Sequence, residues 1–444
     1  MNSKTIYALS SGVGRAGIAV IRISGPAAGQ ALARLTGLES PEPRRMRYVA
    51  VVDPASGETI DRGLAVWFAK PASETGEDMA ELHIHGGRAT VGGVLAALAA
   101  VPGLRLAEPG EFARRSFENG KLDLTAAEGV ADLVNAETAA QRRQALRQLD
   151  GELGRLYEGW RERLLKALAH LEAAIDFSDE DLPAGIEARV RLDAAGLDQE
   201  IGAHLADGRR GERLRDGLSV AIVGPPNSGK SSILNRLSKK DAAIVAAVAG
   251  TTRDVIEVHM DLRGYPLIVA DTAGIRDSSD EVEREGIRRA QARAASADLK
   301  IAVFDATVWP AVDGDAARLV DENTLVVLNK SDLAPPRPPL EVKGRHAFPV
   351  SALTGAGFDL LMAALEREAA ERLAVSASPA LTRERHRRSL EECRASLGRF
   401  LASTTVELSA EDLRLAARAL GRITGRVGVE DLLDVIFRDF CIGK

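Results

Sequence analysis

The chain has 444 residues, which at roughly 150 per domain suggests about three domains and enough length to bury sizeable cores. With 45% hydrophobic and 27% charged residues it reads as globular, neither disordered nor fibrous. Two cysteines, Cys393 and Cys441, exclude a disulfide framework or a cysteine-rich zinc site, and a net charge of -6 argues against unspecific coating of nucleic acid. The opening MNSKTIYALSSG carries no basic-then-apolar leader and no apolar run reaches the ~18 residues of a membrane span, so a cytoplasmic protein with no membrane partner is expected.

In chain order, residues 1–120 mix period-two runs with turn signals. AGIAVIRISG and GLAVWFA predict strands and VGGVLAALAAV predicts a helix. Residues 121–214 are rich in Ala and Leu at helical spacing. The stretch from Lys121 to Phe177 holds no proline and reads as one long helical region, with Thr125 and Glu128 forming a capping box at its start. An acidic segment, IDFSDEDLP, follows. Across 215–375 short apolar runs alternate with helical ones. GLSVAIVG, YPLIVADTAG, LKIAVFDA, NTLVVLNK and AFPVSA are five buried-strand candidates, as in a mainly parallel sheet with helices on both faces. Residues 376–444 return to helical patterning, with an apolar stripe of Val429, Leu432, Leu433, Ile436, Phe437 and Phe440. The expected fold class is therefore multidomain α/β: a P-loop domain with a mainly parallel sheet, inserted into an α-helical domain and preceded by an α+β domain.

The strongest motif is GPPNSGKS, Gly224 to Ser231, between the strand GLSVAIV and the helix SSILNRLS. Its glycines let backbone amides turn inward around phosphates, Lys230 reaches the outer phosphates, and the Ser231 hydroxyl can ligate magnesium. Asn227, Ser228, Gly229, Lys230, Ser231 and Ser232 are thus candidate nucleotide contacts. Asn329-Lys330-Ser331-Asp332 ends the strand TLVVL. A fixed carboxylate at Asp332 accepts the N1 and exocyclic amino protons of guanine, which adenine does not offer in that geometry, so in register after a P-loop the motif points to GTP. Ser351 and Ala352 stand where such domains make the last loop around the base. Asp271-Thr272-Ala273-Gly274 puts Asp271 near magnesium and the Gly274 amide near the γ-phosphate. Gly250-Thr251-Thr252-Arg253-Asp254 lies where a first-switch threonine completes the magnesium shell, although alone it equally reads as a capped turn. Ile275 follows DTAG in place of a water-orienting glutamine, so water must be positioned from elsewhere.

With these motifs, GEFARRSFENGKLDLTAAE, DTAGIRDSSDEVEREGI and the terminal FCIGK, the chain closely resembles the bacterial MnmE (TrmE) family of tRNA-modification GTPases over essentially its whole length. The resemblance implies an N-terminal folate-binding, dimerising domain (1–120), a helical domain in two parts (121–214 and 376–444) and a Ras-like G domain between them (215–375). It implies a potassium ion held by Asn227, by carbonyls at Ala246 and Val248, and by Thr251, with magnesium on Ser231 and Thr252. Ala246 departs from the Thr or Ser usual there. Glu283, by its residues alone a solvated helical carboxylate, matches the family's water-orienting acid. Arg22, Glu81, Lys121 and Lys444, each readable as a surface charge, would contact a tetrahydrofolate derivative of 5,10-methylene or 5-formyl type. Cys441, readable as a small residue at a helix end, matches the family's functional cysteine.

The implied activity is GTP hydrolysis coupled, with an FAD-dependent MnmG (GidA) partner, to adding an aminomethyl or carboxymethylaminomethyl group at C5 of the wobble uridine of certain tRNAs. The implied assembly is a homodimer joined with MnmG in a heterotetramer. A different class, an Era-like GTPase of ribosome assembly, shares the P-loop, DTAG and NKSD motifs. His83 and His85 share one strand face in LHIHGG, but no third metal ligand is evident.

Overall fold

The computed structural model describes residues 4–176, 186–239, 243–244, 257–271, 295–335, 337–374, 379–403, 405–428, 430–438 and 440–443. The chain divides into two compact units, one of residues 1–134, 146–198 and 389–444, the other of residues 135–145 and 199–388. No helix among the described residues is long and apolar enough to cross a membrane.

The first unit contains a sheet of β1 (Thr5–Leu9), β2 (Ala16–Ser24), β3 (Arg47–Val52), β4 (Thr59–Phe68), β5 (Met79–Gly86) and β6 (Leu104–Leu106) in the order β3-β4-β5-β2-β1-β6. Period-two alternation sends Ile21, Ile23, Leu82 and Ile84 to one face, where helices α1 (Ala28–Thr36) and α2 (Arg88–Ala99) cover them with Leu32, Leu35, Val94 and Leu98. The opposite face keeps Arg22 and Glu81, directly paired across β2 and β5. Helix α3 (Glu111–Glu118) follows, then α4 (Leu124–Asn135), α5 (Ala139–Leu149) and α6 (Glu152–Asp176).

The helical run expected from Lys121 onward is thus three helices. Its start also differs from expectation. Asp123, not Thr125, caps α4, accepting the Ala126 amide at 2.8 Å and the Thr125 hydroxyl at 2.6 Å. A capping box does occur, at the head of α5. There Gln141 Oε1 accepts from the Thr138 amide at 3.0 Å, and the Gln141 amide donates back to Thr138 Oγ1 at 3.4 Å. Gly151, at φ 78, separates α5 from α6 in a left-handed turn that a glycine adopts without strain.

Helix α7 (Ile186–Leu205) and α8 (Arg210–Asp216) lead to a second sheet. Its strands are β7 (Leu218–Val223), β8 (Ala243–Ile244), β9 (Glu257–Leu262), β10 (Tyr265–Asp271), β11 (Leu299–Asp305), β12 (Thr324–Asn329), β13 (Glu341–Val342) and β14 (Arg345–Pro349). Their order is β13-β14-β12-β11-β7-β10-β9-β8. The five expected strands are β7, β10, β11, β12 and β14, and they form the parallel body of the sheet. The added edges β13, β9 and β8 are antiparallel. Alternate residues of β7 serve different cores: Leu218, Val220 and Ile222 pack with α9 (Lys230–Ser238) and the later helix at Phe358–Leu373, while Ala221 and Val223 pack with Phe304 and Trp309.

Helix α10 (Gly314–Arg318) lies between β11 and β12, and α11 (Phe358–Leu373) follows β14. Helices α12 (Glu384–Ala402), α13 (Val406–Thr424) and α14 (Glu430–Arg438) complete the described elements. In the first unit α13 packs along α6. Of the apolar stripe, Leu433, Phe437 and Phe440 bury against Ala113, Leu124 and Ala127, with Ile436 beside them. Val429 and the side chain of Leu432 lie outside the described residues.

Candidate functional site: a nucleotide-binding loop lattice

Strand β7 delivers the chain to residues 224–229, and α9 receives it. The glycines at both ends of this loop are sterically required. A Cβ on Gly224 would stand 2.2 Å from the Val303 carbonyl oxygen, and one on Gly229 would stand 2.1 Å from Asn329 Nδ2. Asn227 adopts φ 59, a left-handed conformation that asparagine tolerates better than most residues. Lys230 is buried, and its ammonium donates to the Gly224 and Pro225 carbonyls at 2.9 Å each, so the loop curls around its own lysine. The Ser228 hydroxyl is buried and has no hydrogen-bond partner among the described residues. A buried polar atom of that kind costs about 1–3 kcal/mol unless a ligand satisfies it, which fits a loop built to receive phosphate.

The second loop is joined to the first by one side chain. Asn329, 2% exposed, donates from Nδ2 to the Ser228 carbonyl at 2.9 Å and accepts at Oδ1 from the Ala352 amide at 3.0 Å. Three chain segments therefore meet on one carboxamide. Lys330 follows at φ 66, with its ammonium 2.6 Å from Asp305 at the end of β11. Thr307 donates its amide and hydroxyl to the same Asp305 carboxylate at 2.9 and 2.7 Å. Burial works against ionisation of Asp305, but the Lys330 and Thr307 donors outweigh it and hold the carboxyl below its usual range. Asp332 is exposed one turn further on, and Ser351 is buried beneath the third loop.

Asp271 closes β10 in register with Ile222 of β7, which sets its backbone beside the strand that leads into the glycine loop. Its side chain lies outside the described residues. So do Ala246, Val248, Thr251, Thr252, Thr272, Ala273, Gly274, Glu283 and Lys444.

In the other unit, Arg22 Nε donates to Glu81 at 3.0 Å, its Nη1 lies 2.7 Å from Glu74, and its guanidinium stands 5.7 Å from the Phe112 ring centroid. His83 Nε2 is 3.2 Å from the second Glu81 oxygen. Lys121 donates to the Pro71 carbonyl at 3.1 Å, so the loop of residues 70–78 touches both Arg22, through Glu74, and Lys121. His85 pairs instead with Asp61 at 2.9 Å, and no group of three or more metal-ligating side chains occurs among the described residues. Beside this face Arg115 joins Glu77 at 2.8 Å and Glu111 at 3.0 Å, and Arg105 grips the same Glu111. These groups line a cleft of about 960 Å³ that also includes Lys4, Arg114, Phe437 and Arg438.

Cys441 is exposed. Its carbonyl accepts from the Gly110 amide at 3.4 Å, Ile442 bridges Pro109, and Gly443 packs onto the Leu9 carbonyl of β1. Cys393 is buried, and burial together with the Asp198 charge pushes its thiol up to about 12.

Sequence reasoning did not single out Asp305, Glu74 or Arg115. For Asp305 a signal existed, since an acid at the end of an apolar strand, LKIAVFD, stands at the edge where α/β proteins place their ligands.

A glycine loop between a buried parallel strand and a helix, locked to an NKSD loop at the carboxyl edge of the sheet, defines a P-loop GTPase. Residues 124–441 match the family model described as MnmE helical domain, and residues 5–121 match that of the GTP-binding protein TrmE N-terminus. The chain is 58% identical over 442 residues to the tRNA modification GTPase MnmE of Paramagnetospirillum magneticum, covering 100% of both chains. It is 57% identical over 456 residues to the protein of that name from Rhodospirillum rubrum, again covering 100% of both. To the human mitochondrial 5-taurinomethyluridine-[tRNA] synthase subunit GTPB3 it is 50% identical over 463 residues, covering 99% of this chain and 93% of that one. The chain belongs to the MnmE family of tRNA modification GTPases. The Era-like alternative is not favoured, because the TrmE N-terminus and the MnmE helical domain are both matched.

Proposed function

We propose that this protein hydrolyses GTP, with magnesium and potassium, to drive modification at C5 of the wobble uridine in certain tRNAs. The observation that carries the nucleotide half is the Asn329 carboxamide, which holds the phosphate loop and the base loop in one lattice. Ser231, Thr252 and Asp271 would hold magnesium, which neutralises phosphate charge when bound. The Asn227 carboxamide is exposed and has no partner among the described residues, and an amide oxygen suits a hard cation such as potassium. Carbonyls at Ala246 and Val248, with Thr251, would complete that site. The amides around Gly229 and Lys230 cradle the phosphates, Thr272, Ala273 and Gly274 lie toward the γ-phosphate, and Glu283 orients the attacking water. Asp332 reads the guanine edge.

On the N-terminal sheet, Arg22 and Glu81 present a cation and a carboxylate side by side, complementary to a pterin edge and an anionic tail. Together with Lys121 and Lys444 they would hold a tetrahydrofolate derivative, which supplies the one-carbon unit. Cys441 stands exposed next to the first strand of the same domain and can offer a thiolate, or a proton, to the uridine ring. The domain plan is 1–120 for folate and dimerisation, 121–214 with 376–444 for the helical domain, and 215–375 for the G domain. The working assembly is a cytoplasmic homodimer with an FAD-dependent MnmG partner, and pairing and separation of the two G domains gates the chemistry. Mass spectrometry of wobble uridines from cells lacking the chain tests this reading: loss of the C5 modification is expected, and unchanged nucleosides overturn it. GTP hydrolysis compared in potassium and sodium tests the cation site, where equal rates remove the role of Asn227.

A further inference from the structure

Arg236 lies in the last turn of α9 and belongs to none of the motifs above. Its guanidinium nevertheless reaches three successive carbonyls of the base loop. Nη1 donates to Ala352 O at 3.4 Å and to Leu353 O at 3.1 Å, and Nη2 donates to Thr354 O at 3.1 Å. The group stands 5.7 Å from the centroid of the Phe358 ring. Gly355, at φ 91, leaves it room, since a Cβ there would fall 1.8 Å from Nη2.

A trans peptide sets the carbonyl of one residue and the N–H of the next on opposite sides of the same plane. Turning the oxygens of Ala352, Leu353 and Thr354 toward Arg236 therefore turns the amides of Leu353, Thr354 and Gly355 away from it. Two of these are satisfied within the loop: Thr354 donates to Ser351 Oγ at 3.1 Å and Gly355 to the Ser351 carbonyl at 2.8 Å. The amide of Ala352, one residue earlier, goes to Asn329. The Leu353 N–H has no partner among the described residues, and the residue is 80% exposed.

We propose that Arg236 is a positioning residue for guanine recognition: by fixing the Ala352 carbonyl it aims the Leu353 amide at the 6-keto oxygen of the bound purine. This rests on the GTP reading and extends it to a residue outside the four motifs. A keto oxygen accepts that hydrogen bond and the 6-amino group of adenine does not, so aiming the amide adds to the discrimination made by Asp332 at the neighbouring N1 and 2-amino positions. Arginine suits the task because its planar fork spans successive carbonyls, whereas the lysine ammonium is a single point.

The test uses the full chain and three diphosphates: GDP, ADP and 6-thio-GDP. The thio analogue keeps the N1 proton and the 2-amino group and replaces the 6-oxygen with sulfur, a weaker acceptor. Affinities are measured by calorimetry for the unaltered protein, Arg236→Met and Arg236→Lys, with thermal unfolding of each. The unaltered protein should prefer GDP over 6-thio-GDP by about tenfold, and Arg236→Met should lose about tenfold on GDP while losing less than about twofold on 6-thio-GDP. Arg236→Lys should fall between, and GTPase assays should show a raised KM with kcat little changed. Equal losses on both diphosphates, or none on either, overturn the proposal and make Arg236 a general brace. If Arg236→Met does not fold, the same comparison with Arg236→Lys decides. An unaltered protein that binds ADP as tightly as GDP overturns the guanine reading itself, and this inference with it.

Discussion

The ammonium of Lys330 lies 2.6 Å from the carboxylate of Asp305, joining the ends of two neighbouring parallel strands whose register places Asp305 opposite Asn329. Lys330 holds a left-handed backbone at φ 66, which is strained for a residue with a Cβ and persists where the surroundings fix it. Asp305, braced by Thr307, supplies that fixation. Asp305→Asn should weaken GDP binding by about tenfold, read by fluorescence titration, because the loop next to the base loses its anchor. Unchanged affinity would mean that the strand register alone holds Lys330.

The same pair sets a pH dependence. The Asp305 pKa is depressed, so its contribution is fully present above the ordinary carboxylate pKa and lost as pH falls through the lowered folded value. The share of folding stability due to this pair, read as the denaturant midpoint of the nucleotide-free protein, should stay level from neutral pH to about pH 5 and decline below roughly pH 4. In Asp305→Asn the component of that decline due to this group should vanish.

Gly229 admits no side chain. With φ 92 and Asn329 Nδ2 at 2.1 Å from the position of a Cβ, Gly229→Ala must displace the carboxamide that joins the loops. Nucleotide affinity should fall by more than about 100-fold, while the melting temperature of the nucleotide-free protein shifts only by the equivalent of about 1–2 kcal/mol. A variant that still binds GDP within a few-fold would show that the lattice re-forms around alanine.

In the N-terminal domain, Arg115 is 6% exposed and neutralises both Glu77 and Glu111. Arg115→Met removes one counter-charge from each carboxylate, while Arg105 still holds Glu111 and the Ser24 hydroxyl still donates to Glu77, and should cost about 1.5–3 kcal/mol, read as a lowered denaturant midpoint. Burial acts to raise the Glu111 pKa, but Arg105, the Glu108 amide and Arg115 together lower it. Its share of stability is therefore present near neutrality and lost under acid, and the gap between variant and parent should narrow as pH falls below the ordinary carboxylate range.

The two cysteines should react separately. Cys441 is exposed, whereas Cys393 is buried with its thiol pushed up to about 12. A thiol reagent near pH 8 should modify one cysteine in the native protein and both after denaturation, and Cys441→Ser should abolish the native reaction. Rapid native labelling of two thiols would show that the α12 core opens readily.

The parallel body of the second sheet was legible because a strand buried on both faces writes itself as an unbroken apolar run, as in LVVL and IAVF. Strands β8 and β13 escaped notice because each spans two residues, and β9, EVHMDL, because its polar residues blur the signal. The cap of α4 was misplaced by two residues, since Asp123, Thr125 and Glu128 all suit a helix start and only the backbone decides which one stands outside it. Thr138 and Gln141 carried the same signature unnoticed. Partnerships such as Asp305 with Lys330, or Arg22 with Glu74, depend on which distant strand or loop ends lie side by side, and no local pattern in the chain encodes that.

Asn329 donates with one end of its carboxamide and accepts with the other, and the two ends share one conjugated system. Stronger donation to the Ser228 carbonyl makes the oxygen a better acceptor for the Ala352 amide, as in any hydrogen-bonded chain. The amide proton of Ala352, although it sits beside the base, therefore serves as a spectroscopic gauge of the phosphate end. Its chemical shift should separate nucleotide states that differ only at the far phosphate.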